Sequence, residues 1–184
     1  MSNTAQPSRT VVLIGPMAVG KTTLGAELAQ LLGWEFVDSD QVVESQHGKI
    51  SDIFASRGES WFRQLEARTI ATLLRSEAPL VLSLGGGAVL DTGTQQLLVG
   101  RTVVYLNARP ETVRARILRS SNRPLLAGED PIARWQQLKN SREGVYQRLS
   151  DLTLDVSQGS ARELAQSLLE QLDLRTNIHD GESQ

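Results

Sequence analysis

A chain of 184 residues is enough for one domain core and too short for two full ones. Hydrophobic residues make up 40% and charged residues 22%, as in ordinary globular domains, and no stretch approaches the roughly 18 apolar residues of a membrane helix. Membrane-spanning and intrinsically disordered chains are therefore excluded, and with a net charge of −2 neither nucleic acid nor an acidic membrane is expected as partner. Cysteine is absent, which removes disulfides, thiolate zinc sites and thiol nucleophiles, and His47 and His179 are too few for a histidine-rich metal site. The polar start, Met1 to Arg9, lacks the apolar core of a signal peptide, so the expected location is the cytoplasm.

Thr10 to Ile14, TVVLI, is a β-branched run suited to a strand buried on both faces. Leu24, Leu28, Leu31 and Leu32 then recur at helical spacing from Lys21 to Leu32, and Gly33 follows as a helix stop. Further strands are expected at Glu35–Val37, Val81–Leu84, Val103–Leu106 and Leu152–Val156. Helices are expected at Glu59–Ser76, Thr92–Val99, Pro110–Arg119, Pro131–Leu149 and Ala161–Leu172. The alternation predicts an α/β class, a parallel sheet covered by helices on both faces. Residues 121–130, SNRPLLAGED, sit as a turn-rich stretch between two strong helices and are expected to form a mobile flap; residues 1–9 and 175–184 are polar enough to be disordered.

Between the first strand and the first helix, Gly15-Pro16-Met17-Ala18-Val19-Gly20-Lys21-Thr22 fits the pattern G-x-x-x-x-G-K-S/T in the context that motif requires. Loop and helix N–H groups point at phosphates, Lys21 adds a positive charge near the transferred group, and Thr22 supplies a ligand for Mg2+. The loop implies ATP or GTP, but by itself it does not separate a kinase from an ATPase, a GTPase or a motor.

The second substrate must be read elsewhere. Asp38-Ser39-Asp40 follows the second strand, at the sheet edge that carries the phosphate loop. One carboxylate there could hold the metal while the other accepts from an attacking hydroxyl; the alternative is a solvated turn with helix-capping aspartates. Arg63 and Glu66 stand three apart, where Glu66 can orient the guanidinium, although such a pair is by itself more often a surface ion pair. Gly85-Gly86-Gly87 directly after a buried strand suits either backbone amides approaching a small ligand or a tight strand-to-helix turn. Arg114, Arg116, Arg119 and Arg123 form either a solvated face or a source of charge for phosphoryl transfer.

In their order G-P-M-x-x-G-K-T, D-S-D, F-R-x-x-E, G-G-G, R-P-L-L and R-x-x-x-Y, from about residue 10 to 170, these motifs resemble shikimate kinase, of the nucleoside monophosphate kinase-like group. The resemblance implies a three-layer α/β/α P-loop kinase domain with a five-stranded parallel sheet in the order 2-3-1-4-5, and a mobile lid. It also implies transfer of the γ-phosphate of ATP to the 3-hydroxyl of shikimate, in chorismate biosynthesis. In the nucleotide site, Gly15, Ala18, Val19, Gly20, Lys21, Thr22 and Thr23 would cradle ATP, Thr22 with Asp38 would organise Mg2+, and Arg116 would stack on adenine. In the acceptor site, Asp40 would bind the hydroxyls and serve as base. Arg63 and Arg142 would clamp the carboxylate, with Gly85, Gly86 and Gly87 contributing backbone and Ile50, Phe54 and Phe62 lining the ring pocket. Arg123 would close from the lid onto the phosphates. Family members are often monomers, so a monomer is expected.

The sequence departs from the family pattern at Ala18, where many members have glycine, and at Gly144 and Val145, where proline and leucine are common. Residues 157–160 lack the arginine or proline that some relatives use around adenine. Two rival readings remain at this level: a kinase of another small polyol or cyclitol acid such as gluconate, and a nucleotide-binding regulatory protein without phosphoryl transfer.

Overall fold

The computed structural model describes residues 9–119, 124–126 and 130–181. Strands β1 (Thr10–Ile14), β2 (Glu35–Asp38), β3 (Leu80–Ser83), β4 (Thr102–Asn107) and β5 (Leu152–Asp155) form one sheet in the order β2-β3-β1-β4-β5. Every pair is parallel, with Val12 opposite Leu82 and Leu13 opposite Val104. β1 takes the centre because TVVLI has no polar face, and all five of its residues are buried.

Helices α1 (Lys21–Leu32), α2 (Ser39–His47), α3 (Ile50–Arg57), α4 (Glu59–Leu73), α5 (Thr92–Leu98), α6 (Pro110–Arg119), α7 (Pro131–Leu149) and α8 (Ala161–Gly181) connect and flank the strands. The two-residue period of the strands divides the core. Val11 and Leu13 of β1 with Val104 and Leu106 of β4 join Leu24, Leu28, Trp135, Ala165 and Leu168. Their neighbours Val12, Ile14, Val103 and Tyr105 face Ile70, Leu82 and Tyr146 on the other side. A third, smaller cluster of Val43, Ile53 and Phe62, joined by Ile50, Phe54 and Trp61, lies under α2, α3 and α4.

Three features differ from the sequence expectation. Helices α2 and α3 occupy the stretch after β2, where apolar residues are too sparse to declare a period; α2 is nonetheless well started, since the Asp38 side chain accepts from the backbone N–H groups of Asp40 and Gln41. Helix α8 runs to Gly181, beyond the Leu172 at which the sequence reading ends it. Residues 173–180 contain neither proline nor glycine, and polarity removes a packing face without removing helix propensity. Within the proposed flap, Pro124–Leu126 form a single 3-10 turn whose Leu126 is buried in the first core, and Asp130 caps α7. Residues 1–8, 120–123, 127–129 and 182–184, among them Arg123, lie outside the described residues. Among the described residues no helix is long and apolar enough to cross a membrane.

Candidate active site

The phosphate loop sits where the central strand meets α1. Gly15 leaves β1 at φ +140°, and a side chain there would collide with the Leu106 carbonyl. Gly20 caps α1 in the left-handed region at φ +98°, without a side chain bonded to the helix and without an acidic residue in the first turn. The first N–H groups of α1 are therefore left for an anion, and the helix dipole favours one there. Lys21 is only 8% exposed, and its ammonium donates to the carbonyls of Gly15 and Pro16, 2.9 Å each, folding the loop over its own side chain. Ala18, at φ +68°, is the one non-glycine among the described residues with a positive φ.

Asp38 takes the helix-capping role weighed from sequence and adds a contact that was not weighed. Its Oδ1 caps α2, while Oδ2 accepts from the Thr22 hydroxyl at 2.7 Å, which joins strand β2 to the phosphate loop. Asp40, in the first turn of α2, keeps Oδ1 buried and without a hydrogen-bond partner. Burial, reinforced by the neighbouring charges of Glu66 and Asp38 and opposed by Lys21 and Arg63, pushes its carboxyl up to about 7.

The Arg63–Glu66 pair is not a surface pair. Glu66 is 2% exposed, its Oε2 accepts from Arg63 Nη1 at 2.6 Å, and Oε1 is buried without a partner. Arg63 also donates to Glu59 at 3.2 Å, and its guanidinium lies 5.1 Å from the centre of the Phe62 ring. Burial opposes the guanidinium charge, yet the two glutamates hold Arg63 above its ordinary value; burial raises Glu66 against the pull of Arg63.

The glycine run explains how these charges come so close. A methyl group on Gly85 would land on the carboxylates of Asp40 and Glu66, and one on Gly87 on the Arg63 guanidinium. The absent side chains thus make room for the protein's own charged groups, a reason beyond both the ligand and the turn readings. The turn is also present, closed by Ala88 N–H to the Gly85 carbonyl, and Gly85 N–H donates to the buried Ser39 hydroxyl at 3.2 Å.

Phosphate loop, acidic pair and glycine run share one cleft of about 540 Å³, within the range of small-molecule sites. Of the residues singled out from sequence, Ala18, Val19, Gly20, Lys21, Thr22, Thr23, Asp38, Asp40, Ile50, Phe54, Phe62, Arg63, Gly85, Gly86, Gly87 and Arg116 line it. Arg116 donates to the Ala18 carbonyl at 3.1 Å, so in this structure it braces the loop. Gly15 and Arg142 stand behind the wall; Arg142 is 6% exposed and hydrogen-bonds Tyr146. Sequence reasoning missed Glu44 and the far wall of Val156, Gly159, Ala161 and Leu164. It used Glu66 only to orient Arg63, where its own unpartnered oxygen also faces the cleft. Burial of an acid at a helical i, i+3 position leaves no mark in the sequence.

A family model described as shikimate kinase matches residues 17–173. The chain is 40% identical over 167 residues to the shikimate kinase of Actinobacillus pleuropneumoniae, covering 90% of this chain and 96% of that protein. It is 40% identical over 174 residues to the shikimate kinase of Halorhodospira halophila, covering 94% and 97%. Among solved structures, shikimate kinase from Acinetobacter baumannii in complex with shikimate superposes with a TM-score of 0.86 at 40% identity, covering 91% of this chain and 93% of that one. A gluconokinase from Sinorhizobium meliloti, 15% identical with a TM-score of 0.57, shares the fold alone. With a family model matched over residues 17–173 and relatives 40% identical along nine-tenths of its length, the chain belongs to the shikimate kinase family.

Proposed function

We propose that the protein transfers the γ-phosphate of ATP to the 3-hydroxyl of shikimate. The observation that carries this reading is the cleft in which a phosphate loop faces Arg63 and two carboxylates, Asp40 and Glu66, that each keep one oxygen without a partner. A polyhydroxylated acid needs all three: carboxylates to accept from its hydroxyls, a guanidinium for its carboxylate, and a phosphoryl donor alongside. The A. baumannii relative solved with shikimate supports the choice of acid.

In this reading, α1 N–H groups and Lys21 hold the phosphates, and Asp40 orients the 3-hydroxyl and takes its proton as the new bond forms. Arg63 clamps the carboxylate and is held in place by Glu66 and Glu59. Arg142 supports that clamp from behind through its field on Glu66. Ile50, Phe54 and Phe62 form the apolar wall against the ring. Thr22 and Asp38, hydroxyl and carboxylate oxygens 2.7 Å apart, are hard donors that fit Mg2+, an ion that takes few protein ligands beside phosphate. Bound there, Mg2+ supplies positive charge to the β and γ phosphates. The family resemblance assigns Arg123 to the same phosphates. The family resemblance makes a monomer the proposed working unit.

The test is ADP formation from Mg-ATP without acceptor and with shikimate, quinate and gluconate in parallel. Turnover dependent on shikimate is expected; turnover with another acceptor alone would retire the substrate and keep the nucleotide site.

A further inference from the structure

Helix α7 is polar along most of its length, but Trp135, Arg142 and Tyr146 are buried. Trp135 and Tyr146 are eleven residues apart, close to three full turns, so they share a face and leave the helix about 16 Å from one another. Each ends in one polar atom, and each atom goes to a backbone carbonyl of the active-site cleft. Trp135 Nε1 donates to the Met17 carbonyl at 2.9 Å, and the Tyr146 hydroxyl donates to the Gly86 carbonyl at 2.5 Å.

These two carbonyls belong to the two halves of the site. Met17 is in the phosphate loop and Gly86 in the glycine run, and a methyl group on Gly86 would stand 3.2 Å from Met17 N and 3.4 Å from the Gly15 carbonyl. Two touching loops bonded to two points of one rigid helix make a triangulated bracket. In a trans peptide the carbonyl and the next N–H point in opposite directions. A carbonyl drawn to α7 therefore turns the following amide away from it, and the residues that own those amides, Ala18 and Gly87, line the cleft.

We propose that Trp135 and Tyr146 are positioning residues: they fix the Ala18 and Gly87 amides toward the phosphate donor and the acceptor, and α7 sets the spacing between the two. The surroundings suit this use. Tyr146 is fully buried, stacks on Tyr105 with ring centres 5.1 Å apart, and receives a hydrogen bond from Arg142 one turn earlier. Burial pushes its hydroxyl up to about 12, so it stays a donor across the physiological range. Tyr105, equally buried, directs its hydroxyl to Asn107 and Glu143 and touches neither loop through it, which makes it a matched control.

The inference rests on the proposed kinase reaction for its kinetic arm only. Tyr146→Phe keeps the ring and loses the hydroxyl's bonds to the Gly86 carbonyl and from Arg142, so its shikimate KM should rise about five- to tenfold while the ATP KM stays within about twofold. Trp135→Phe should show the reverse split. Tyr105→Phe should move neither constant. Independently of any acceptor, amide hydrogen exchange at Gly87 should speed up in Tyr146→Phe, and at Ala18 in Trp135→Phe, with the central strands unchanged. Equal rises in both KM values for Tyr146→Phe, or unchanged exchange at Gly87, would overturn the proposal. A wild-type enzyme inactive on shikimate would retire the functional reading and leave the exchange arm to decide this one.

Discussion

Asp40 carries the most displaced carboxyl of the site, and its displacement has a sign that can be measured. Unfolded, the group titrates near 3.8; folded, near 7. Between those values the folded protein holds the extra proton, so raising the pH through this window costs stability. Asp40→Asn, which imitates the protonated form, should gain on the wild type by roughly 2–4 kcal/mol between pH 4 and pH 8 in urea unfolding of the metal-free protein; parallel stability curves would show that Asp40 is not displaced. Arg63→Ala removes the partner of a buried glutamate as well as the proposed carboxylate clamp. Shikimate turnover should fall about a hundredfold or more while Mg-ATP binding by calorimetry is retained, and near-normal kinetics would sink the clamp. How much of this was legible varied residue by residue. The phosphate loop was readable because its chemistry demands consecutive residues. Glu66 was not, because an i, i+3 ion pair has the same spacing whether it is buried or in water, and only the packing of α4 against the glycine run decides between them.

At the scale of elements, α7 tolerates a glycine in its interior. Gly144 lies on the exposed face with open space where a side chain would go, and the helix runs through it unbroken. Gly144→Ala should therefore stabilise the protein by about 1 kcal/mol, read as about 2–4 °C in Tm, with kinetics unchanged. The phosphate loop shows the opposite mismatch: Ala18 pays for a left-handed conformation that glycine adopts freely. Ala18→Gly should also gain about 1 kcal/mol in thermal or urea unfolding; a loss would mean that the methyl group's packing against the first core outweighs the strain. Long periodic elements such as α1, α6 and α7 begin and end where the sequence places them. The short helices α2 and α3 escaped notice because each buries little of its own surface and owes its place to neighbours: the Asp38 cap for α2 and Phe62 beneath α3.

For the whole molecule, the sheet gathers the functional residues at one edge: the loops that leave β1, β2 and β3 at their carboxyl ends carry the phosphate loop, Asp38 with Asp40, and the glycine run. A cleft shared by two substrates predicts that each stabilises the fold: at about a hundredfold excess over its Kd, either ligand should add about 2.7 kcal/mol, a shift of several degrees in Tm. A shift with nucleotide but none with shikimate would separate the two halves of the assignment. The parallel order was foreseeable from alternating strands and helices, whereas which strand lies at the centre followed from the family resemblance and from the unbroken burial of β1. The packing of α1 against α8 gives this arrangement a temporal side. Leu24 and Leu28, which anchor the helix behind the phosphate loop, share their core with Ala165 and Leu168. During synthesis the loop motif leaves the ribosome early, yet the helix that holds it lacks its partner until translation has passed residue 168. A nascent chain halted before α8 would display the nucleotide signature without a nucleotide site, so ATP capture by stalled chains should begin only once that last helix has emerged.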